Sequence, residues 1–218
     1  DALGRLTDYS EETNDDQLKE VTTWHATINN DGQPAVINQT IEKTDKTTGT
    51  VFQTLTSDKT NTYNKEGQVI LYDESTTDSL AKDAPGHSRW AGNYNGNGQL
   101  ERSTQSDTKN GETITTDRDF SYRTDGLQAT MGETVRSDLS ENLTTTQNWT
   151  FEGYRIGGYQ SSYTVVSHRS GIDPDGNVLD TSASTSRSQT TYDGKGRVLG
   201  YTETYLSDAQ KDVTQKTT

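Results

Sequence analysis

The chain has 218 residues, with 33 acidic against 20 basic side chains and a formal net charge of −13. Only 26% of its residues are hydrophobic and none is cysteine, which excludes an apolar core of ordinary size, disulfides, thiolate metal sites and cysteine nucleophiles. The acidic balance disfavours nucleic acid and anionic membrane surfaces, and no apolar run has membrane-spanning length. Neither nucleic acid nor membrane insertion is therefore expected.

Composition this polar commonly signals disorder. Against that stand 11 Tyr and 3 Trp at regular places, about a quarter Thr plus Ser, and only 3 prolines. Thr and the aromatics favour strands.

Taken in chain order, the sequence repeats itself. A glycine follows an aromatic or large apolar residue by four positions at Gly32 (after Ile28), Gly67 (Tyr63), Gly98 (Tyr94), Gly126 (Tyr122), Gly153 (Trp149) and Gly196 (Tyr192), and the series opens at Gly4. The mean spacing is about 32 residues, within the range of repeat architectures. The last gap is long enough for an extra turn at Asp173-Pro174-Asp175-Gly176-Asn177. The flanks repeat too. Tyrosine stands five residues after the glycine at Tyr9, Tyr72 and Tyr201, and glutamate seven after it at Glu11, Glu74, Glu133 and Glu203. Thr pairs often precede the next aromatic, as at Thr22-Thr23, Thr115-Thr116, Thr145-Thr146 and Thr190-Thr191.

A longer correspondence lays residues 1–26 on 193–218 at an offset of 192, with nine identities, among them Gly4/Gly196, Arg5/Arg197, Tyr9/Tyr201 and Glu11/Glu203. We read residues 1–192 as one super-repeat of six to seven hairpins and 193–218 as the start of the next. The chain reads as an excerpt of something longer.

The local chemistry is β. Segments such as NNDGQ, YNKEGQ, YNGNGQ, YRTDGL and YDGKGR are turn-formers rich in Asn, Asp and Gly. Alternating runs flank them: Trp149 and Phe151, Tyr154 and Ile156, Tyr163 and Val165, and Leu199, Tyr201, Glu203 and Tyr205. Ser79–Asp83 and Ser207–Lys211 have room for one helical turn each. The expected fold is all-β: tandem antiparallel β-hairpins stacked into an elongated ribbon, spiral or fibre, with little or no helix. One hairpin alone is marginal in water, so neighbours must supply the rest.

YDGKGRVLGYTET, DALGRLTDYSEET and YNKEGQVILYDEST resemble the YD repeats of RHS proteins. The match is close at Tyr192, Asp193, Gly196, Arg197, Gly200 and Tyr201, partial at Tyr63, Gly67 and Tyr72 and at Gly4, Arg5 and Tyr9, and loose around Gly32 and Gly153. The resemblance implies long antiparallel strands, in bacterial surface and toxin proteins and in animal adhesion receptors. The period here is longer than in typical members, which favours an open ribbon, spiral or fibre over a closed shell. No activity carries over from the family.

No catalytic constellation stands out. His25, His87 and His168 fall in different repeats, and the recurring glutamates form a surface ladder rather than an acid/base pair. Asp173–Asn177 and Asn93–Gly98 place oxygen ligands at alternate positions, as calcium loops do, without the glutamate of an EF-hand. Calcium is the only cofactor these loops suggest, and turn chemistry explains them better. Asn38, Asn142 and Asn148 begin Asn-X-Thr triplets and are candidate glycosylation sites, and exposed Ser and Thr offer O-linked ones. Tyr9, Tyr72, Trp90, Tyr94, Trp149, Tyr159 and Tyr201 could stack on sugars, though packing between hairpins fits their fixed places better. The expected function is a structural segment of a long extracellular or cell-surface filament, bacterial and non-catalytic, whose partner is itself, with covalent glycans as a further partner. An adhesin segment that binds glycans and an RHS-like toxin shell are the alternatives.

Overall fold

The computed structural model describes residues 3–81, 85–140, 143–173, 175–208 and 210–217, the last of these by backbone alone. The described chain is all-β. Its strands are β1 (Asp8–Asn14), β2 (Leu18–Ile28), β3 (Pro34–Asp45), β4 (Thr50–Tyr63), β5 (Val69–Asp78), β6 (Gly86–Tyr94), β7 (Leu100–Lys109), β8 (Glu112–Tyr122), β9 (Gln128–Ser137), β10 (Thr144–Tyr154), β11 (Gln160–Ile172), β12 (Val178–Tyr192), β13 (Val198–Ser207) and β14 (Gln210–Thr217). Strand order in the sheet is the order of the chain, a meander of antiparallel hairpins. Hairpins join their neighbours edge to edge through backbone ladders.

No helix occurs among the described residues. Ser79 and Leu80 form a turn, and Lys82 and Asp83 lie outside the described residues. Ser207 ends β13, and Gln210 and Lys211 lie in β14, so none of these three is helical; Ala209 lies outside the described residues.

The chain divides into two compact units, residues 1–93 with 104–113 and residues 94–103 with 114–218. Each unit sorts its side chains onto two unlike faces, as a period of two requires. In the first unit one face carries Tyr9, Trp24, Ala26, Ile37, Ile41, Leu55, Lys59, Tyr72, Glu74 and Trp90, all tied by direct cross-strand or i, i+2 relations. The other face carries Ser10, Thr23, His25, Asn38, Thr40, Thr56, Asp58, Thr77 and His87. In the second unit Arg118, Phe120, Met131, Glu133, Trp149, Phe151, Tyr163, Val165, Arg187, Glu203 and Tyr205 share one face. Thr134, Thr146, Asn148, Thr150, Thr164, His168, Ser182, Ser186 and Thr204 share the other.

Neither unit has a conventional core. Among the described residues only Ala26, Ser103 and Thr190 count as buried side chains, and no large side chain is fully enclosed. Cohesion must come from backbone ladders and cross-strand pairs, each pair contributing roughly 0.2–1 kcal/mol.

One expected turn moves. Gly153 lies inside β10, in a bulge opposite Ser162, and the chain reverses at Arg155–Tyr159 instead. The turn glycine is Gly158, with φ 78°, and its aromatic is Tyr154 rather than Trp149. Trp149 is mid-strand, between Met131 and Val165. The physical reason is turn chemistry: Thr150 and Phe151 prolong a strand, whereas Gly157-Gly158 relieves the strain of positive φ. Asp173–Asn177 does form a turn, at the opposite end of the strands from Gly158 and Gly196. The hairpin β13–β14 is also one residue out of step with β1–β2. Tyr9 faces Trp24, whereas Tyr201 faces Thr217 rather than position 216.

Candidate functional site

The most regular feature is the row of turns at one end of the strands. Each is closed by two backbone bonds. The residue three before the glycine donates to the carbonyl of the residue after it, and the glycine N–H donates back. The pairs are Asn29/Gln33, Asn64/Gln68, Asn95/Gln99, Arg123/Leu127, Arg155/Tyr159 and Asp193/Arg197. Gly32, Gly67, Gly98, Gly126 and Gly196 take φ of 88°, 84°, 76°, 84° and 79°, and Gly4 takes 75°.

The Asn or Asp after the aromatic is the turn's cap. The Oδ1 atoms of Asn29, Asn64, Asn95 and Asp193 each accept two backbone N–H bonds from inside the turn. The remaining cap atom meets a matching side chain four residues on. Asn29, Asn64 and Asn95 donate to Gln33, Gln68 and Gln99, whereas Asp193 pairs with Arg197 at 2.7 Å. Amide meets amide and carboxylate meets guanidinium. The bonds from Arg197 and Lys195 hold the Asp193 carboxyl below its ordinary pKa. Asp173 is lowered in the same way by Asn177 and then Asp175.

Successive turns interlock. The phenol of the turn tyrosine donates to the carbonyl two residues past the preceding glycine of the row: Tyr63 to Pro34 at 2.9 Å, Tyr122 to Leu100 at 2.7 Å, Tyr154 to Gln128 at 2.6 Å, and Tyr192 to Gln160. Burial raises the phenol pKa of Tyr122 and Tyr154. At Gly32, Gly67 and Gly196 the side chain that follows the preceding glycine of the row reaches under the turn. A Cβ there would lie 3.1 Å from Arg5 at Gly32, 2.8 Å from Gln33 at Gly67 and 2.7 Å from Tyr159 at Gly196. Three residues past the glycine comes a single unpaired residue, a bulge, at Ala35, Ile70, Ala129, Ser161 and Leu199. Bulges increase local twist and re-aim the strand.

The second recurring feature is a ladder of ion pairs. Glu74, Glu133 and Glu203 stand directly opposite Lys59, Arg118 and Arg187 of the preceding strand, with N–O distances of 3.8, 2.7 and 2.8 Å. Aromatics line the same face. Tyr72 stacks on Trp90 and takes Lys59 over its ring, Tyr9 stacks on Trp24, and Arg187 lies 3.8 Å from the centre of Tyr201. The opposite face carries rows of hydroxyls in register. Ser10, Thr23, Thr40, Thr56 and Thr77 form one row in the first unit, and Ser121, Thr130, Thr150, Thr164, Ser186 and Thr204 form one in the second. Neighbours in such a row are spaced about 4.8 Å apart, the strand separation.

Each histidine meets one aspartate on an adjacent strand: His25 with Asp8 at 2.6 Å, His87 with Asp73 at 3.0 Å and His168 with Asp180 at 2.8 Å. Among the described residues no three His, Asp or Glu side chains converge as a metal site. The oxygens of Asp173 are occupied by N–H donors of its own turn. Asn38 is exposed and gives its amide to Asp58, Asn148 is exposed on β10, and Asn142 lies outside the described residues.

Two concavities stand out. One, of about 460 Å³, lies on the aromatic face of the first unit, over Ile41, Leu55, Ser57 and Asp78. The other, about 640 Å³, lies on the turn row of the second unit, between Tyr154, Tyr159, Tyr192 and Asp193. Tyr159 and Tyr192 pack with ring centres 5.1 Å apart.

Several of these groups are hard to see in sequence. Tyr154 and Gly158 keep the same four-residue spacing as the other turns, and that was the available signal. The cations Lys59, Arg118 and Arg187 and the bulge residues carry no mark, because only the register reveals them. No protein-family model matches the chain, and no curated protein matches it.

Proposed function

We propose that this chain is a structural, non-catalytic segment of a long extracellular or cell-surface filament, of bacterial type, whose main partner is its own kind. One observation supports this reading above the others: within the two units, four turns are clamped to the turn before them by the same tyrosine-to-carbonyl bond, from Tyr63, Tyr122, Tyr154 and Tyr192. A clamp of that kind serves propagation, since it has no use in a single hairpin. The RHS-like YD signature belongs to the same reading, with Tyr as the clamp, Asp as the cap and Gly as the turn. The exposed hydroxyl rows suit a hydrated surface and O-linked glycans. Negative-stain imaging of the native full-length protein tests the reading. It expects uniform filaments or stalks, and compact particles of a single globule would overturn it.

A second reading, a glycan-binding segment, draws on the concavity at Tyr154, Tyr159 and Tyr192, where aromatic rings stand beside the Asp193 carboxylate. Glycan-array binding lost in Tyr159→Ala would favour it.

A further inference from the structure

Four glutamates share one place in the repeat, and three of them have a cation directly across the preceding strand. Glu11 is the exception. Its strand, β1, pairs with β2 alone, and among the described residues Glu11 has no ion pair. In the other three cases the cation comes from the strand on the side that β1 leaves unpaired among the described residues.

The offset of 192 says which strand that is. It lays β1 on β13, and the strand paired with β13 on that side is β12. Carried across by the same offset, the β12–β13 register places Arg187 opposite Glu11, Ser188 opposite Ser10, Ser186 opposite Glu12 and Thr185 opposite Thr13. Arg187 also covers the ring of Tyr201, whose counterpart is Tyr9. Tyr9 is 40% exposed, and Trp24 stacks on it from the β2 side. Charge supports the same partner. Every residue of β1 is exposed, and its charged residues, Asp8, Glu11 and Glu12, are all acidic. Two β1 edges would therefore repel each other. In the part of β12 that this register lays on β1, Ser184–Thr191, Arg187 is the single charge; the strand's acid, Asp180, lies beyond it.

We propose that the outer edge of β1 is a docking site for a β12 strand from another copy of this unit, with Arg187 of that copy paired to Glu11 and lying on Tyr9. The proposal rests on the reading of the chain as a repeat segment, and it gives that reading a joint with a defined register. In such a joint the β1–β2 hairpin takes the place that β13–β14 holds within this chain.

The test uses the isotope-labelled full chain and a synthetic peptide of the sequence Val178–Tyr192, followed by amide resonances. Shifts and slowed exchange should gather on the β1 amides. Glu11→Lys, an exposed change, should weaken binding about tenfold by placing like charges opposite each other. A peptide with Arg187→Glu should restore binding to that variant and bind the original chain poorly. The proposal is overturned if the peptide leaves β1 unperturbed up to its solubility limit. It is equally overturned if Glu11→Lys binds both peptides alike. Failure here alongside filaments in native material would remove this joint and leave the structural reading standing.

Discussion

Gly194 and Gly196 lie two residues apart in one turn, and the structure assigns them opposite tolerance. At Gly196 φ is 79°, and an added Cβ would lie 2.7–2.9 Å from the Tyr159 ring. At Gly194 φ is ordinary and a Cβ meets nothing within 4 Å. Alanine at 196 therefore incurs the left-handed penalty, roughly 1–2 kcal/mol. It also displaces Tyr159 from Tyr192, an aromatic pair with a value of about 0.5–1.5 kcal/mol. We expect Gly196→Ala to destabilise the turn and its flanking strands by about 2–3 kcal/mol. Gly194→Ala should be neutral or stabilise by up to about 1 kcal/mol, through the unfolded chain. Denaturant unfolding followed by tyrosine and tryptophan fluorescence, with amide exchange at Gly196 and Arg197, measures both. Equal effects at the two sites would refute the claim that the row of turns depends on contact with the preceding turn.

Tyr154→Phe keeps the ring and removes the bond to Gln128, and should cost about 0.5–1.5 kcal/mol in the same unfolding assay. Arg187→Ala, Glu203→Gln and the double variant should show a coupling energy of about 0.2–1 kcal/mol that shrinks with added salt, as a cross-strand pair does. For Asp193 the sign follows from its lowered pKa. Its contribution is full above the ordinary value of 3.8 and is lost as pH falls through the folded value below that. Asp193→Asn should therefore flatten the acid limb of a stability–pH curve, with Asp173→Asn acting likewise at its own turn.

Much of this molecule was legible because turns are local. Gly32, Gly67, Gly98, Gly126 and Gly196 announce themselves by positive-φ chemistry with an Asn or Asp one to three residues before, and alternation marks the strands between them. Gly153 misled because Trp149–Gly153 and Tyr154–Gly158 have the same spacing, and the strand-forming Thr150 and Phe151 and the paired Gly157-Gly158 tell them apart. The turn at Asp173–Asn177 has the right local chemistry, and its place at the other end of the strands follows only from counting strand reversals. Lys59, Arg118 and Arg187 were invisible as partners of the recurring glutamates, since cross-strand register is a property of the assembled sheet. The same holds for the hydroxyl rows, which look in sequence like unordered Thr and Ser.

The account holds that ladders and turn clamps, not a buried core, keep these strands together. Native-state hydrogen exchange resolved by residue tests this most directly. We predict that protection follows ladder bonding across β2–β5 and β9–β12 whatever the burial of the side chain, and that it drops on both strands flanking a turn when that turn's tyrosine is replaced by alanine. Protection confined to amides around the few buried side chains, with the remaining ladders exchanging freely, would contradict it.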